Sequence, residues 1–206
     1  SVSLGDGAVS KDSPAISIGF GTFSELSASV AMGMDTKSTG GNSFAMGYKS
    51  HASGKTSFAM GWASKASGKY STSMGYKTVA NGTSSIAIGY ESRTNGPYAL
   101  AQGYQSYANG IASIAMGYQA KACGQYSISL GRNTYSFGSN SIAMGFKAKS
   151  NSISSFVLYE CKQNRNRSSP IFTVGDRIGF TSNPSVCNCF DICFIFSLPE
   201  ITKECI

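Results

Sequence analysis

Glycine recurs every 14 residues along most of this chain, and the register holds without an insertion from Gly5 to Gly145. A second glycine follows seven residues after the first in most copies. One repeat of this length cannot bury its apolar side alone and must stack on its neighbours, so the period predicts a solenoid. The glycines in register are Gly5, Gly19, Gly33, Gly47, Gly61, Gly75, Gly89, Gly103, Gly117, Gly131 and Gly145.

Each repeat contains two short runs of alternating residues, which we number from the leading glycine as position one. Positions twelve to fourteen hold triplets such as Phe44-Ala45-Met46, and positions three to seven alternate small residues with Lys, His, Gln or Tyr. Alternation over such short runs predicts β-strands, and the glycines between them predict turns of positive φ. We therefore predict an all-β solenoid with two strands and two glycine turns in each coil. The turns of six consecutive coils are assigned to Gly47, Gly61, Gly75, Gly89, Gly103 and Gly117.

The alternation also suggests which side chains fill the coil. Large residues at positions twelve and fourteen are expected to face the small residues at positions four and six in a thin core. Position thirteen is Ala or Ser in ten consecutive copies, from Ser17 to Ala143, and would then face outward. A wall without charge on either side is typical of a strand that is buried on both faces. The small outer residues therefore predict a symmetric oligomer of two or three copies.

Two segments carry a resemblance to a known family. The sequences "NSFAMGYKSHASGKTSFAMGW" and "SIAMGYQAKACGQYSISLG" resemble the head repeats of trimeric autotransporter adhesins, the YadA-like left-handed parallel β-roll. Similar repeats occur in phage tail fibres and other viral fibres. The resemblance covers residues 1–158 and implies a homotrimer outside the cell. It would stand either on a bacterial surface, held to the outer membrane by a segment outside this chain, or on a virion. The start at Ser1, without a leader, suggests a fragment or a processed product.

The C-terminal part of the chain departs from the repeat. Tyr159 replaces the expected glycine, so we predict a β-roll head over residues 1–158 and a Cys-rich cap or neck-like segment over residues 159–206. The motif "CNCFDIC" leaves three possibilities open: a thiolate metal site, disulfides or unpaired thiols. Its spacing is not that of a standard zinc site and the only histidine is His51, so no metal and no cofactor are assigned. The tail cysteines are Cys161, Cys187, Cys189, Cys193 and Cys205.

The positive charge belongs to the repeats, because residues 1–150 contain 12 Lys and Arg against 5 Asp and Glu. Most of these cations share positions three, five or nine of the repeat. They indicate either an electrostatic attachment surface for acidic glycans, host cells or matrix proteins, or a solvated face that keeps the rod soluble. Nucleic acid is not expected as a partner, since no nucleic-acid motif accompanies the cations. The candidate ligand-binding residues are Lys49, Lys65, Lys77, Arg93, Lys121, Lys147 and Lys149.

Position two is aromatic in six consecutive copies from Tyr48 to Tyr118. This row predicts a stacked ladder that serves packing, with a sugar-stacking platform as the alternative. Catalysis is not expected, because the sequence offers no paired carboxylates and no nucleophile motif. No apolar run approaches the roughly 20 residues of a membrane helix.

Together these features predict a non-enzymatic surface or fibre protein. The favoured function is a trimeric adhesive head that attaches to host cells, glycans or matrix. The alternative is a structural spacer or receptor-binding segment of a viral or phage fibre.

Overall fold

Two parallel sheets built on the 14-residue register run along the chain. The computed structural model describes residues 1–159 and 192–194. Consecutive strands of each sheet come from consecutive coils, so that Ala101 pairs with Ala115 and Lys65 pairs with Val79. One sheet has 13 strands and the other has 11, and the described residues contain no helix. The prediction of an all-β parallel solenoid is confirmed.

The two sheets differ in strand length. We call them the long sheet and the short sheet. The long sheet contains Val2–Leu4, Ile16–Phe20, Val30–Met34, Phe44–Tyr48, Phe58–Trp62, Thr72–Tyr76, Ile86–Tyr90, Leu100–Tyr104, Ile114–Tyr118, Ile128–Arg132, Ile142–Phe146, Phe156–Tyr159 and Ile192–Phe194. The short sheet contains Val9–Ser10, Phe23–Ser24, Lys37–Ser38, His51–Ala52, Lys65–Ala66, Val79–Ala80, Arg93–Thr94, Tyr107–Ala108, Lys121–Ala122, Tyr135–Ser136 and Lys149–Ser150. Only the last strand of the long sheet is antiparallel to its neighbour. Most of the predicted C-terminal segment, 159–206, lies outside the described residues.

The leading glycines lie within strands, so their assignment to turns is wrong. Gly47 is the fourth residue of Phe44–Tyr48, and the turn begins at position three, where Lys49 has φ 53°. Each of the other five assigned glycines is likewise the fourth residue of a strand, namely Gly61, Gly75, Gly89, Gly103 and Gly117. Their positive φ is confirmed, with values from 113° at Gly47 to 131° at Gly117. A Cβ at each would also overlap the carbonyl oxygen of the glycine one coil further on.

The second glycine, where a coil has one, is required for space and not for its φ. The left-handed residue of that turn is at position ten, where Thr56 has φ 55°, and Gly54 itself does not have a positive φ. A Cβ on Gly54 would overlap the carbonyl oxygen of Gly68 in the next coil. The expectation of positive φ at the second glycine is therefore wrong, and close stacking of the coils explains the residue.

Small side chains alone fill the interior of each coil. Ala59 and Ala115 at position thirteen are completely buried at 0% exposure, together with the Ser, Thr and Ala of positions four, six and eleven. The large residues at positions twelve and fourteen point outward and are mostly half-buried. The predicted orientation of this wall is therefore wrong. The reason is the thinness of the coil, since the hydroxyl oxygens of Ser129 and Thr134 in opposite walls are 2.8 Å apart.

Several buried hydroxyl groups donate to backbone carbonyl oxygens. Ser64 Oγ donates to the carbonyl oxygen of Gly75 at 2.8 Å, and Ser113 Oγ donates to that of Gly110 at 2.8 Å. Buried polar groups need such partners because an unpaired one costs stability. Serine in the interior is therefore a structural part of the thin coil.

The outward residues of positions twelve and fourteen form a continuous strip along the long sheet, which we name the apolar face. Thr72 and Gln102 are its polar interruptions between Ile16 and Met144. The short sheet lies on the opposite side of the coil and presents position five outward. The roll therefore has one apolar side and, opposite it, one side with a cation at position five of every second coil.

Candidate functional site

The cations of position five occupy every second coil, and we call them the basic column. Lys65 pairs with His51 on one side and with Val79 on the other, and the same alternation continues along the short sheet. Neighbouring cations are therefore two strand spacings apart, about 10 Å. The basic column consists of Lys37, Lys65, Arg93, Lys121 and Lys149.

The residues between the cations are uncharged or weakly basic and are half-buried, whereas the cations are exposed. Tyr135 shows how they separate the charges. Its ring centroid is 5.4 Å from Lys121 Nζ and 5.5 Å from Lys149 Nζ, so one ring faces the cation on either side. Such cation–π contacts are attractive, and here one ring lies between the two cations.

His51 is one of these intervening residues. Its Nε2 lies 3.1 Å from Thr39 Oγ1. Burial lowers the pKa of His51 from its usual value, and the charges of Lys37 and Lys65 lower it further. The lowered pKa favours the neutral imidazole, which is consistent with the alternation of charge.

The remaining predicted ligand residues lie elsewhere on the coil. Lys49, Lys77 and Lys147 occupy the left-handed turn at position three. Their ammonium groups lie 5.0, 5.2 and 5.2 Å from the ring centroids of the aromatic residues that precede them. The seven predicted residues therefore form two separate columns and are not brought into one pocket.

The aromatic residues of position two form the expected ladder. The ring centroids of Tyr76, Tyr90, Tyr104 and Tyr118 are 4.7, 4.9 and 4.8 Å apart, with interplanar angles of 4–10°. Each inner ring therefore has both faces covered by its neighbours. The Arg132 guanidinium extends the stack, 5.5 Å from the Tyr118 centroid. This arrangement favours packing over sugar stacking.

A second set of tyrosines is absent from the sequence-based predictions. Tyr70, Tyr98 and Tyr126 occupy position ten of alternate coils, with side chains 49%, 65% and 57% exposed. Their spacing of 28 residues was the available signal, since it repeats the two-coil period of the basic column. We name these three residues the tyrosine column.

A comparison with protein-family models identifies the repeat. The YadA head domain repeat matches residues 27–50, 38–64, 66–92, 95–120 and 122–148, which together are more than half of the chain. The chain belongs to the YadA head domain family. Each match spans about two coils, as does the alternation of the basic column. No curated protein matches the chain significantly.

A YadA head is a part of an extracellular surface adhesin, and the resemblance stated above is confirmed. The fold and the family are those of a structural adhesin and not of an enzyme. In the part of the chain that the structure describes, no helix has the length and apolar character needed to cross a membrane.

The potential metal ligands and thiols of this YadA head are described only in part. No group of three or more His, Cys, Asp or Glu side chains that could hold a metal lies within the described residues. Cys123 is half-buried and unpaired, and burial raises the pKa of its thiol. The side chains of the "CNCFDIC" motif lie outside the described part of the chain.

Proposed function

We propose that this YadA-type head assembles as a homotrimer through the apolar face. Residues such as Met46, Met60 and Ile114 are only half-buried in the single chain, and the strip they belong to runs the length of the roll. Monomeric proteins rarely expose a continuous apolar patch of this extent. Association through position thirteen, as the sequence suggested, would require side chains that are inside the coil.

The same trimer presents the basic column to solvent, and we propose that this column attaches the head to an acidic partner. The partner class is an acidic glycan, an anionic host cell surface or a matrix protein. The observation that carries the proposal is the set of exposed cations at a constant spacing on the side opposite the apolar face. Three stripes in one particle give avidity although each exposed ion pair is weak. Lys49, Lys77 and Lys147 would add positive charge from the neighbouring turn at position three.

A structural role in a fibre is the second candidate. The in-register strands from Val2–Leu4 to Phe156–Tyr159 form a rod that could hold another domain away from its base. Such a spacer, or a receptor-binding segment of a viral or phage fibre, would need no constant spacing of cations. The bacterial surface, reached through a segment outside this chain, and the virion surface are the two proposed locations.

A matched pair of charge variants tests attachment. Lys65→Gln with Lys121→Gln removes two charges from the basic column, and Lys11→Gln with Lys55→Gln removes two charges away from it. We expect the first variant to lose most binding to immobilised cells, glycans or matrix proteins at low salt and the second to retain it. Binding of the parent should weaken with salt because the charges are screened. Equal binding by both variants would contradict attachment through the basic column. If the parent shows no saturable binding, the role of a structural spacer is favoured.

A further inference from the structure

The tyrosine column occupies a backbone position that does not suit tyrosine. Tyr70, Tyr98 and Tyr126 have φ of 60°, 60° and 55°, in the left-handed region. Bulky residues are uncommon there, and the same position holds Asn42 and Asn140 in other coils, a residue type that tolerates this region well. A residue that is unfavourable for its backbone and recurs at a fixed interval points to a role for its side chain.

The tyrosine column has a backbone fixed by hydrogen bonds and rings that are largely exposed. Their backbone N–H groups donate to carbonyl oxygens of the preceding coil at 2.8–2.9 Å. Within the described residues, no other aromatic ring stacks on any of the three, in contrast to the ladder at position two. Lys69 Nζ lies 4.8 Å from the Tyr70 ring centroid, which shows that this face admits a group of side-chain size.

The gaps between these tyrosines have the size of one further ring. Ser84 and Ala112 occupy position ten in the intervening coils, so the floor of each gap is a small side chain. Successive tyrosines are two strand spacings apart, about 10 Å. The stacked ladder shows that one ring fills one spacing, with centroids 4.7–4.9 Å apart. Each tyrosine ring is therefore separated from the next by one empty spacing.

The regular interval indicates a polymeric ligand. A sugar ring in an extended linear chain advances by about one strand spacing, and the C–H face of a sugar stacks on an aromatic ring. A polysaccharide lying along the rod would thus meet a tyrosine at every second sugar. The coils that carry the tyrosines also carry a cation five residues earlier, in the pairs Lys65 and Tyr70, Arg93 and Tyr98, and Lys121 and Tyr126. A charge on every second sugar would match this interval.

We propose that the tyrosine column binds a linear acidic polysaccharide with one anionic group in each disaccharide, whose sugars stack on Tyr70, Tyr98 and Tyr126. This inference rests on the proposed attachment function and specifies its ligand. The proposed function uses charge alone. This inference adds recognition by the aromatic rings and by their two-coil spacing.

The test uses the full chain in its native assembly and hyaluronan, a linear polymer with a carboxylate on every second sugar. Three variants separate the contributions. The first changes all three tyrosines to Asn, the second changes all three to Phe, and the third combines Tyr98→Ala with Ala112→Tyr. The third variant keeps composition and charge but moves one ring to the neighbouring coil, where Ala112 also has a left-handed φ of 49°.

We expect the Asn variant to lose roughly tenfold or more in affinity, since stacking is removed from three sites in each chain. Its melting temperature should be unchanged or higher because Asn tolerates the left-handed region. The Phe variant should bind like the parent, and the exchanged variant should bind like the Asn variant. Dextran, a neutral polymer, should bind far more weakly than hyaluronan.

Parent-like binding by the Asn variant or by the exchanged variant would overturn the proposal. Binding of hyaluronan that is lost with Lys65→Gln and Lys121→Gln but unaffected by the tyrosine variants would overturn it and leave the proposed function intact. A parent that binds an acidic protein and no polysaccharide would also overturn the tyrosine proposal and leave the proposed function intact. A parent that binds no acidic partner at all would overturn both.

Discussion

Ser73 Oγ and Thr78 Oγ1 lie 2.8 Å apart across the interior of a single coil. The two residues belong to opposite walls, because Ser73 lies in the strand Thr72–Tyr76 and Thr78 directly precedes Val79–Ala80. Short side chains from the two walls already touch, so no longer residue fits between them. This dimension separates substitutions that break the coil from those that act on its surface.

Ala115→Glu should unfold the coils around it. Ala115 is completely buried, and a carboxylate there would have neither water nor a counter-charge. The expected loss of unfolding free energy is on the order of 3–5 kcal/mol. Thermal or urea denaturation followed by circular dichroism measures it. A midpoint equal to that of the parent would contradict the burial of position thirteen.

Met116→Glu, one residue further on, should act on assembly. Met116 is half-buried on the apolar face, so the coil can keep its shape while the new charge opposes association. We expect a parent-like circular dichroism spectrum and a fall in the mass measured by light scattering from three chains to one. Lys121→Glu places the same charge on the short sheet and should leave the mass unchanged. A trimeric Met116→Glu variant would show that the apolar face is not the interface.

Gly89→Val should destabilise the roll by more than about 3 kcal/mol, since both strain and overlap act there. Gly89 has φ 115°, and a Cβ would overlap the carbonyl oxygen of Gly103. Gly41→Val is the matched control, because a Cβ at Gly41 meets no atom within 4 Å. Comparable denaturation midpoints for the two variants would refute the steric explanation.

Exchanging Val79 and Arg93 should reveal the purpose of the alternation. The double variant Val79→Arg with Arg93→Val keeps the net charge but sets a cation one strand spacing from Lys65. We expect it to be less stable than the parent at low salt by up to about 1 kcal/mol, because like charges directly opposite repel. The difference should vanish at high salt, where such charges are screened. Equal stability at both salt concentrations would mean that the spacing has no electrostatic basis.

The environment of His51 predicts a small dependence of stability on pH. Its pKa in the folded chain is lowered from 6.5, mainly by burial. As the pH falls below 6.5, the unfolded chain therefore binds more protons at His51 than the folded chain does. The free energy of unfolding decreases toward acid for this reason. His51→Tyr introduces the residue type that Tyr107 and Tyr135 have at the same repeat position. This variant should lose the pH-dependent contribution of His51 to stability. Denaturation midpoints between pH 5 and pH 7 that move equally in both proteins would contradict it.

The glycine register predicts most of the fold, since an insertion-free period can only be met by stacked, in-register coils. It does not reveal which parity of a strand faces inward, because a shift by one residue exchanges the two faces. The usual rule that large residues fill the interior fails here because the coil is thin. The signal for this exception was position thirteen, where ten coils from Ser17 to Ala143 contain nothing larger than Ser.

The spacing of the cations predicts columns, and the structure places position five on the outer face of the short sheet. Their role as a binding site stays a prediction. The alternation with His51 and Val79 becomes meaningful only when strand pairing shows that these residues are direct neighbours. The sequence signal for Tyr70 is its 28-residue spacing to Tyr98, whereas its left-handed backbone is visible only in three dimensions.

The alternation along the short sheet also constrains how such a rod can change length. Loss of one coil, for example the one that contains Val79, would bring Lys65 and Arg93 onto adjacent strands, whereas loss of two coils would restore the phase. Insertions and deletions should therefore be tolerated in units of 28 residues and resisted in units of 14. The repeating module of this rod is then a pair of coils, and its length should change in steps of two coils.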